Sequence, residues 1–375
     1  MSRLTAASIS VACLCSLSLL AQTPDTATLQ GSVVDPSSAI VVSAHITLTN
    51  EVTGLVRTIE SDSRGRFTLG GLPAAGSYSV VVAKDGFAPG RIEHLQLTGG
   101  TTATIALTLK VEGESSTVNV MGATGDLRID EPQLGIYLTS QQVEQTPILN
   151  RRITGLPLLN SANRPAINQG DIFMNQFLIT TNGAGRRQAW FELDGANSID
   201  MWGRQTIFTN VPALAVDEMS VLTNAFTPEY GGGTGSVINV VTRSGGNNYH
   251  GELLELWRPA APEASLAGFT TANAASGNDI TSDKLGQTAA TLSGPVLHSD
   301  KTHFFMAGEW SRQAKASPIT SPLAPGSFIG HYHGWLGLLR LDHQINEHNN
   351  GFLRLNFDNF TDTNPNGIVG GASLA

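Results

Sequence analysis

The sequence predicts a mainly β protein of three units in series: a seven-stranded β-sandwich, an α+β unit, and antiparallel hairpins of a membrane-facing sheet. Three observations carry that expectation. Charged residues are only 14% of the chain, against roughly 25% in an average soluble domain, and glycine is abundant at 40 of 375 residues. Short β-prone runs recur with turn residues between them. Towards the C-terminal end, large aliphatic residues alternate with charged ones at a period of two. A hydrophobic fraction of 41% excludes wholesale disorder. The net charge of −9 argues against a phosphate-seeking surface, so nucleic acid is not an expected partner.

Residues 1–21 read as a secretory signal, with Arg3 as its positive region, an apolar and small-residue run over 4–20, and Ala21-Gln22 as the cleavage point. A lipoprotein reading of Cys13 is the alternative, with Ser10 standing where a leucine is expected. Cleavage near residue 21 removes both cysteines, Cys13 and Cys15, and with them any disulfide or thiolate metal site. No later segment reaches 18 consecutive apolar residues, the length a membrane helix needs. Export then leads either to a free protein outside the inner membrane or to a β-barrel, whose alternating strands escape a hydropathy plot.

Residues 22–112 form the first folded unit. Seven strands are expected within 28–111, separated by turns at Pro36-Ser37-Ser38, Gly54, Ser63-Arg64-Gly65, Gly76 and Gly99-Gly100. In the last of them Ile105, Leu107 and Leu109 share one face, the mark of a half-buried strand. So many short strands in so short a span pack best as a sandwich. Gly31-x-Val33-x-Asp35, Asp62-x-x-Gly65-x-Phe67, Leu72-Pro73, Gly76-x-Tyr78 and Gly86-Phe87 together resemble the carboxypeptidase regulatory-like (transthyretin-like) domain. Phe67, Leu72 and Tyr78 are its natural core anchors. The resemblance implies no peptidase activity, and the sequence has no His-Glu-x-x-His motif.

Residues 123–247 are the second unit. Thr139-x-x-Gln142-Val143-Glu144 can cap a short helix that Pro147 ends. Trp190, Phe191 and Leu193 before Asp194-Gly195 read as a strand entering a tight turn. Val237, Ile238, Val240 and Val241 form a near-continuous apolar strand, expected where both faces are covered. With Val216-Asp217-Glu218 and Pro228-Glu229-Tyr230-Gly231, in this order and spacing, the set resembles the plug of TonB-dependent outer-membrane receptors of the Oar-like type. The glycines 231–235 lack the Gly-Lys-Ser/Thr of a phosphate loop, and close backbone approach explains them better. Asp194, Asp200, Asp217 and Glu218 lack calcium-loop spacing, which favours turn and cap roles over a metal or acid–base site.

Between the two units, 113–122 contains Ser116, Thr117, Val118, Asn119 and Val120, a short β-prone run of the kind that can add to another protein's sheet. It resembles the TonB box, and the resemblance implies a TonB-type energy-coupling protein as partner. The plainer alternative is the end of the sandwich running into a linker.

From residue 248 to 375 the pattern is hairpins: 285–297 with 302–312, and 335–345 with 351–360. Trp335, Leu339 and Leu341 match Leu353, Leu355 and Phe357 on one face, while Arg340, Asp342, Arg354, Asn356 and Asp358 occupy the other. A soluble sheet shows the same alternation; the signal and the plug resemblance favour outer-membrane lipid outside and water inside. At ~10 residues per strand this stretch supplies roughly six strands, against about 22 in plugged transporters. A fragment or truncated product, unable to close a barrel alone, is therefore expected, because open edges in lipid are costly. His331-x-His333, with His343 and His348 nearby, reads as interfacial or loop histidine and not as a metal site.

The fold class is thus mainly β, with a regulatory-like sandwich, an α+β plug, and the first strands of an incomplete antiparallel transmembrane β-barrel. The resemblance implies uptake of a scarce small ligand, such as a siderophore or an oligosaccharide, with no catalytic residue, cofactor or metal. An Oar-like adhesion or export-related surface protein is the alternative.

Overall fold

The structure, a computed structural model, describes residues 26–111, 134–148, 151–165, 179–185, 188–199, 207, 209–224, 230, 235–258, 284–319, 326–346 and 349–363, without the side chains of 315–319 and 326–329. The signal at 1–21, the segment Ser116–Val120, Asp200, Pro228, Glu229, residues 231–234 and His348 lie outside the described residues.

The first unit is a sandwich of seven strands: β1 (Thr26–Val34), β2 (His45–Asn50), β3 (Val56–Glu60), β4 (Arg66–Pro73), β5 (Ser77–Ala83), β6 (Gly90–Gln96) and β7 (Thr102–Thr108). One sheet runs β4-β1-β7, with β1 and β7 parallel; the other runs β3-β2-β5-β6. Alternation explains the packing. Ile105 and Leu107 of β7 point inward with Leu29 and Val33 of β1, and Ile46, Leu48, Val80 and Val82 meet them from the second sheet. Phe67, Leu72 and Tyr78 are buried in this core as expected, and the Tyr78 hydroxyl donates to the Pro73 carbonyl at 2.6 Å. Gly65 and Gly76 hold positive φ (70° and 87°), a conformation their turns demand.

The middle unit is built on a five-stranded sheet. Strand β8 (Leu134–Thr139) leads into helix α1 (Ser140–Gln145), where Thr139 and Gln142 close a capping box. A small ladder of β9 (Asn163–Pro165) and β10 (Ile179–Thr181) follows. The main sheet is completed by β11 (Ala189–Leu193), β12 (Ala196–Asn197), β13 (Val216–Asn224) and β14 (Ser236–Thr242), ordered β12-β11-β14-β13-β8. All seven residues of β14 are buried, as a central strand covered on both faces requires. The turn after β11 places Asp194 at φ 47° and Gly195 at φ 71°, a left-handed pair that aspartate and glycine tolerate.

The third unit is one antiparallel sheet in sequence order: β15 (His250–Arg258), β16 (Lys284–Pro295), β17 (Thr302–Ile319), β18 (Gly326–Gln344) and β19 (Asn350–Thr363). Among the described residues the sheet is open, with β15 and β19 at its edges. Five strands are present among the described residues, of which β17 and β18 run to 18 and 19 residues. The register sets Leu339 opposite Leu355 and Leu341 opposite Leu353, all on the outward face. Trp335, Leu353, Leu355 and Phe357 are each more than half exposed there. Inward, the expectation of water is corrected. Phe305, Ala307 and Leu338 are buried in the core of the middle unit, so a protein body occupies the space and draws apolar residues to it.

A polar joint between the middle unit and the sheet

Two ionic networks cross from the middle unit to the inward face of the third. In the first, the buried carboxylate of Asp194 sits under the turn that β11 makes. It accepts from the Thr242 backbone N–H at 2.6 Å and from the Thr242 hydroxyl at 2.8 Å, so the end of β14 is tied to the end of β11. From the sheet, Arg340 of β18 approaches it at 3.3 Å, and Arg354 of β19 pairs with its second oxygen. Arg354 also donates to the Leu193 carbonyl at 2.9 Å, and Arg340 to the Thr242 carbonyl at 3.0 Å. Asp342 holds Arg340 from the other side at 2.8 Å, and the Phe352 ring lies 4.3 Å from its guanidinium.

The register gives this arrangement a reason. Arg340 and Arg354 stand directly opposite one another on the inward face. Like charges so placed destabilise a sheet. The Asp194 carboxylate lies between them and converts a repulsive pair into a bridged one.

In the second network Arg152, at the start of a 3-10 turn over Ile153–Leu159, reaches β17. It donates to Ser311 at 2.9 Å and pairs with Glu309 at 3.4 Å, both members buried. The Tyr332 ring lies 5.1 Å from its guanidinium, Gln287 of β16 approaches Glu309 at 3.5 Å, and the Ala213 N–H donates to Glu309. A third tie joins Asn210 to Asp358, whose carboxylate accepts from both the backbone and the side-chain nitrogen at 3.0 Å. Phe305, Ala307 and Leu338 of the sheet join the same buried apolar cluster as Val216 and Ile238 of the middle unit.

Asp217, at the foot of β13, is partly buried. Burial pushes its carboxyl up to about 6; Arg243, Arg340 and a hydrogen bond from the Gly76 N–H pull the other way, and Asp194 adds to the rise. Arg243 itself pairs with Glu144 of α1 and lies 3.7 Å from Glu252 of β15. Burial likewise raises the Glu192 carboxyl, against the hydrogen bond from the Trp190 indole.

Sequence reasoning had placed Asp194 in a turn, and it is; its pairing with the sheet was not foreseen. Asp217 lies at the start of β13, its foot, and Glu218 of β13 pairs with Thr139 of β8. Arg340 and Arg354 point inward as expected, whereas Arg152 and Glu309 were not singled out. The signal available was a charged residue at an inward-facing position of an apolar strand. Gly235 packs against Gln188, with its N–H bonded to that residue's carbonyl at 2.9 Å. His331 and His333 are exposed on the outward face, and His343 contacts Thr302 at 2.9 Å. Among the described residues no three metal-binding side chains converge.

Comparison with known proteins agrees with this architecture. Residues 28–110 match the carboxypeptidase regulatory-like domain, and residues 241–328 match the outer membrane beta barrel domain. The chain is 24% identical over 286 residues to the TonB-dependent transporter Oar of Myxococcus xanthus, covering 74% of this chain. It spans 26% of the length of that relative. Among solved structures it is similar to the siderophore receptor PirA of Acinetobacter baumannii (18% identity, TM-score 0.46), covering 61% of this chain and 32% of PirA. It is also similar to the outer membrane transporter YddB of Escherichia coli (16% identity, TM-score 0.48, 61% and 33%). The chain thus carries a match to a regulatory-like domain ahead of a match to outer-membrane β-barrel sequence, and is similar to the Oar transporter across both.

Proposed function

We propose that the chain is the N-terminal part of a TonB-dependent outer-membrane receptor that takes up a scarce ligand, such as a siderophore or an oligosaccharide. The observation that carries this reading is the joint: a folded body seated by buried ion pairs on the inward face of a sheet whose outward face is greasy. In this reading residues 1–21 are the export signal, 22–112 the sandwich, 113–122 the coupling segment, 123–247 the plug and 248–375 the first barrel hairpins. Ser116, Thr117, Val118, Asn119 and Val120 pair with the TonB-type protein by strand addition, and outer-membrane lipid covers the outward leucines. No residue is assigned a catalytic role.

Salt-bridged seating suits a plug that must be held at rest yet released under force. Ionic contacts fix one register and, once water enters, have little net strength. Deleting residues 116–120 from the full-length receptor is expected to abolish energised uptake while leaving its outer-membrane level unchanged. The rival reading, a surface adhesion or export-related protein on the same scaffold, requires that the deletion leave surface function intact.

A further inference from the structure

Among the described residues the sandwich meets the rest of the molecule chiefly at the crossover from the middle unit to the sheet. Two of its turns, 51–54 between β2 and β3 and 74–76 between β4 and β5, face the crossover 243–249 by which β14 becomes β15. The Asn247 N–H donates to the Val52 carbonyl at 3.1 Å. Gly246 runs so close that a Cβ on it would lie 2.7 Å from that same carbonyl oxygen, and a Cβ on Gly54 would lie 2.8 Å from the Asn247 amide nitrogen. The Gly76 N–H donates to Asp217, and Arg57 reaches Asn350, the first residue of β19, at 3.4 Å.

Both turns are set by one buried residue. Asn50 accepts from the N–H groups of Val52 and Thr53 at 3.0 and 2.9 Å and donates to the Ala75 carbonyl at 3.0 Å. Glu51 braces the same turn from outside through Ser77 and His94. On the other side, the Asn247 side chain is tied to His303 of β17 at 2.6 Å, and Gly245 passes against the Phe304 backbone. Asn247 is thus a node: its backbone holds the sandwich and its side chain holds the sheet.

We infer that the sandwich is a clasp. Its Asn50-organised turns dock on the crossover between the middle unit and the sheet and hold that crossover in the resting state. Residues 112–133 connect the sandwich to the middle unit in sequence, so force that reaches the sandwich is borne by this docking contact as well as by the ion pairs of the joint. The docking itself stands apart from the uptake reading; only its consequence for gating rests on that reading.

The test uses the full-length protein in outer membranes, with Arg57→Cys and Asn350→Cys introduced together and joined by a short flexible bis-maleimide. Most molecules are expected to cross-link. Adding Gly246→Val, which forces the crossover off the Val52 carbonyl, is expected to lower the yield roughly five-fold or more, while heat-modifiable migration of the barrel is retained. An absent cross-link in the parent pair, or a yield that Gly246→Val leaves unchanged with the barrel folded, overturns the clasp. Uptake is scored separately in the deletion of 116–120, so failure of the receptor reading leaves the cross-link result standing on its own.

Discussion

The sandwich and the middle unit are both β-rich bodies, yet they bury their cores in opposite ways. Every member of the sandwich core lies between Ala27 and Leu109, and its two sheets cover each other. The core of the middle unit includes Phe305, Ala307 and Leu338 from another sheet, and its charged residues find their partners there. One unit is self-sufficient; the other shares its core with the neighbouring sheet.

The sharpest way to break this contrast is Asp194→Ala. It leaves Arg340 and Arg354 facing each other without the bridging carboxylate, a loss of roughly 3–5 kcal/mol for a buried pair. Hydrogen exchange at the Leu193 and Thr242 amides should rise on the order of a hundredfold or more, with the sandwich amides unmoved; equal loosening of both would erase the distinction. Leu338→Ala comes next, at about 2–4 kcal/mol for a large-to-small core change. Although it sits on the sheet, its effect should appear as faster exchange in β13 and β14.

A smaller effect involves pH. The Asp217 carboxyl is raised by burial to about 6 from 3.8, so its contribution to stability is full below about pH 4 and is lost as pH rises through 6. Arg243, Arg340 and the Gly76 N–H limit the penalty and Asp194 increases it. The purified protein should unfold at a higher temperature at pH 5 than at pH 7.5. Asp217→Asn should remove on the order of 1–2 kcal/mol of that difference; an identical pH profile in the variant would show that the carboxylate is well solvated. Smallest is Thr139→Ala, which opens the capping box of α1 at a cost of about 1 kcal/mol, visible as local exchange over Ser140–Gln145.

Much of the fold was legible because local chemistry and final environment agree. Phe67, Leu72 and Tyr78 sit where alternation and turns put them, and Thr139 caps the helix that its spacing with Gln142 announces. That Trp335, Leu353, Leu355 and Phe357 share a face followed from period two, and that this face is the outward one followed from the signal and the plug resemblance. The joint was less legible. Asp194 and Arg340 lie 146 positions apart and Asn210 and Asp358 lie 148 apart, and no local pattern encodes which distant charge a buried carboxylate will meet. Leu338 shares the inward face with Arg340, and period two alone does not show that the core of the middle unit covers it. The docking of the sandwich depends on backbone groups of Val52, Gly76 and Asn247, which leave no mark on residue type.

The central claim is that one face of the third sheet meets lipid while the other grips a folded body. Single cysteines at positions 353 through 358, spin-labelled in the full-length protein in bilayers, test it through collision with oxygen and with a water-soluble nickel complex. Labels replacing Leu353, Leu355 and Phe357 should collide readily with oxygen and scarcely with nickel, while those replacing Arg354, Asn356 and Asp358 meet neither. Nickel access at Leu353, Leu355 and Phe357 equal to that of a solvent-exposed turn would contradict the claim outright.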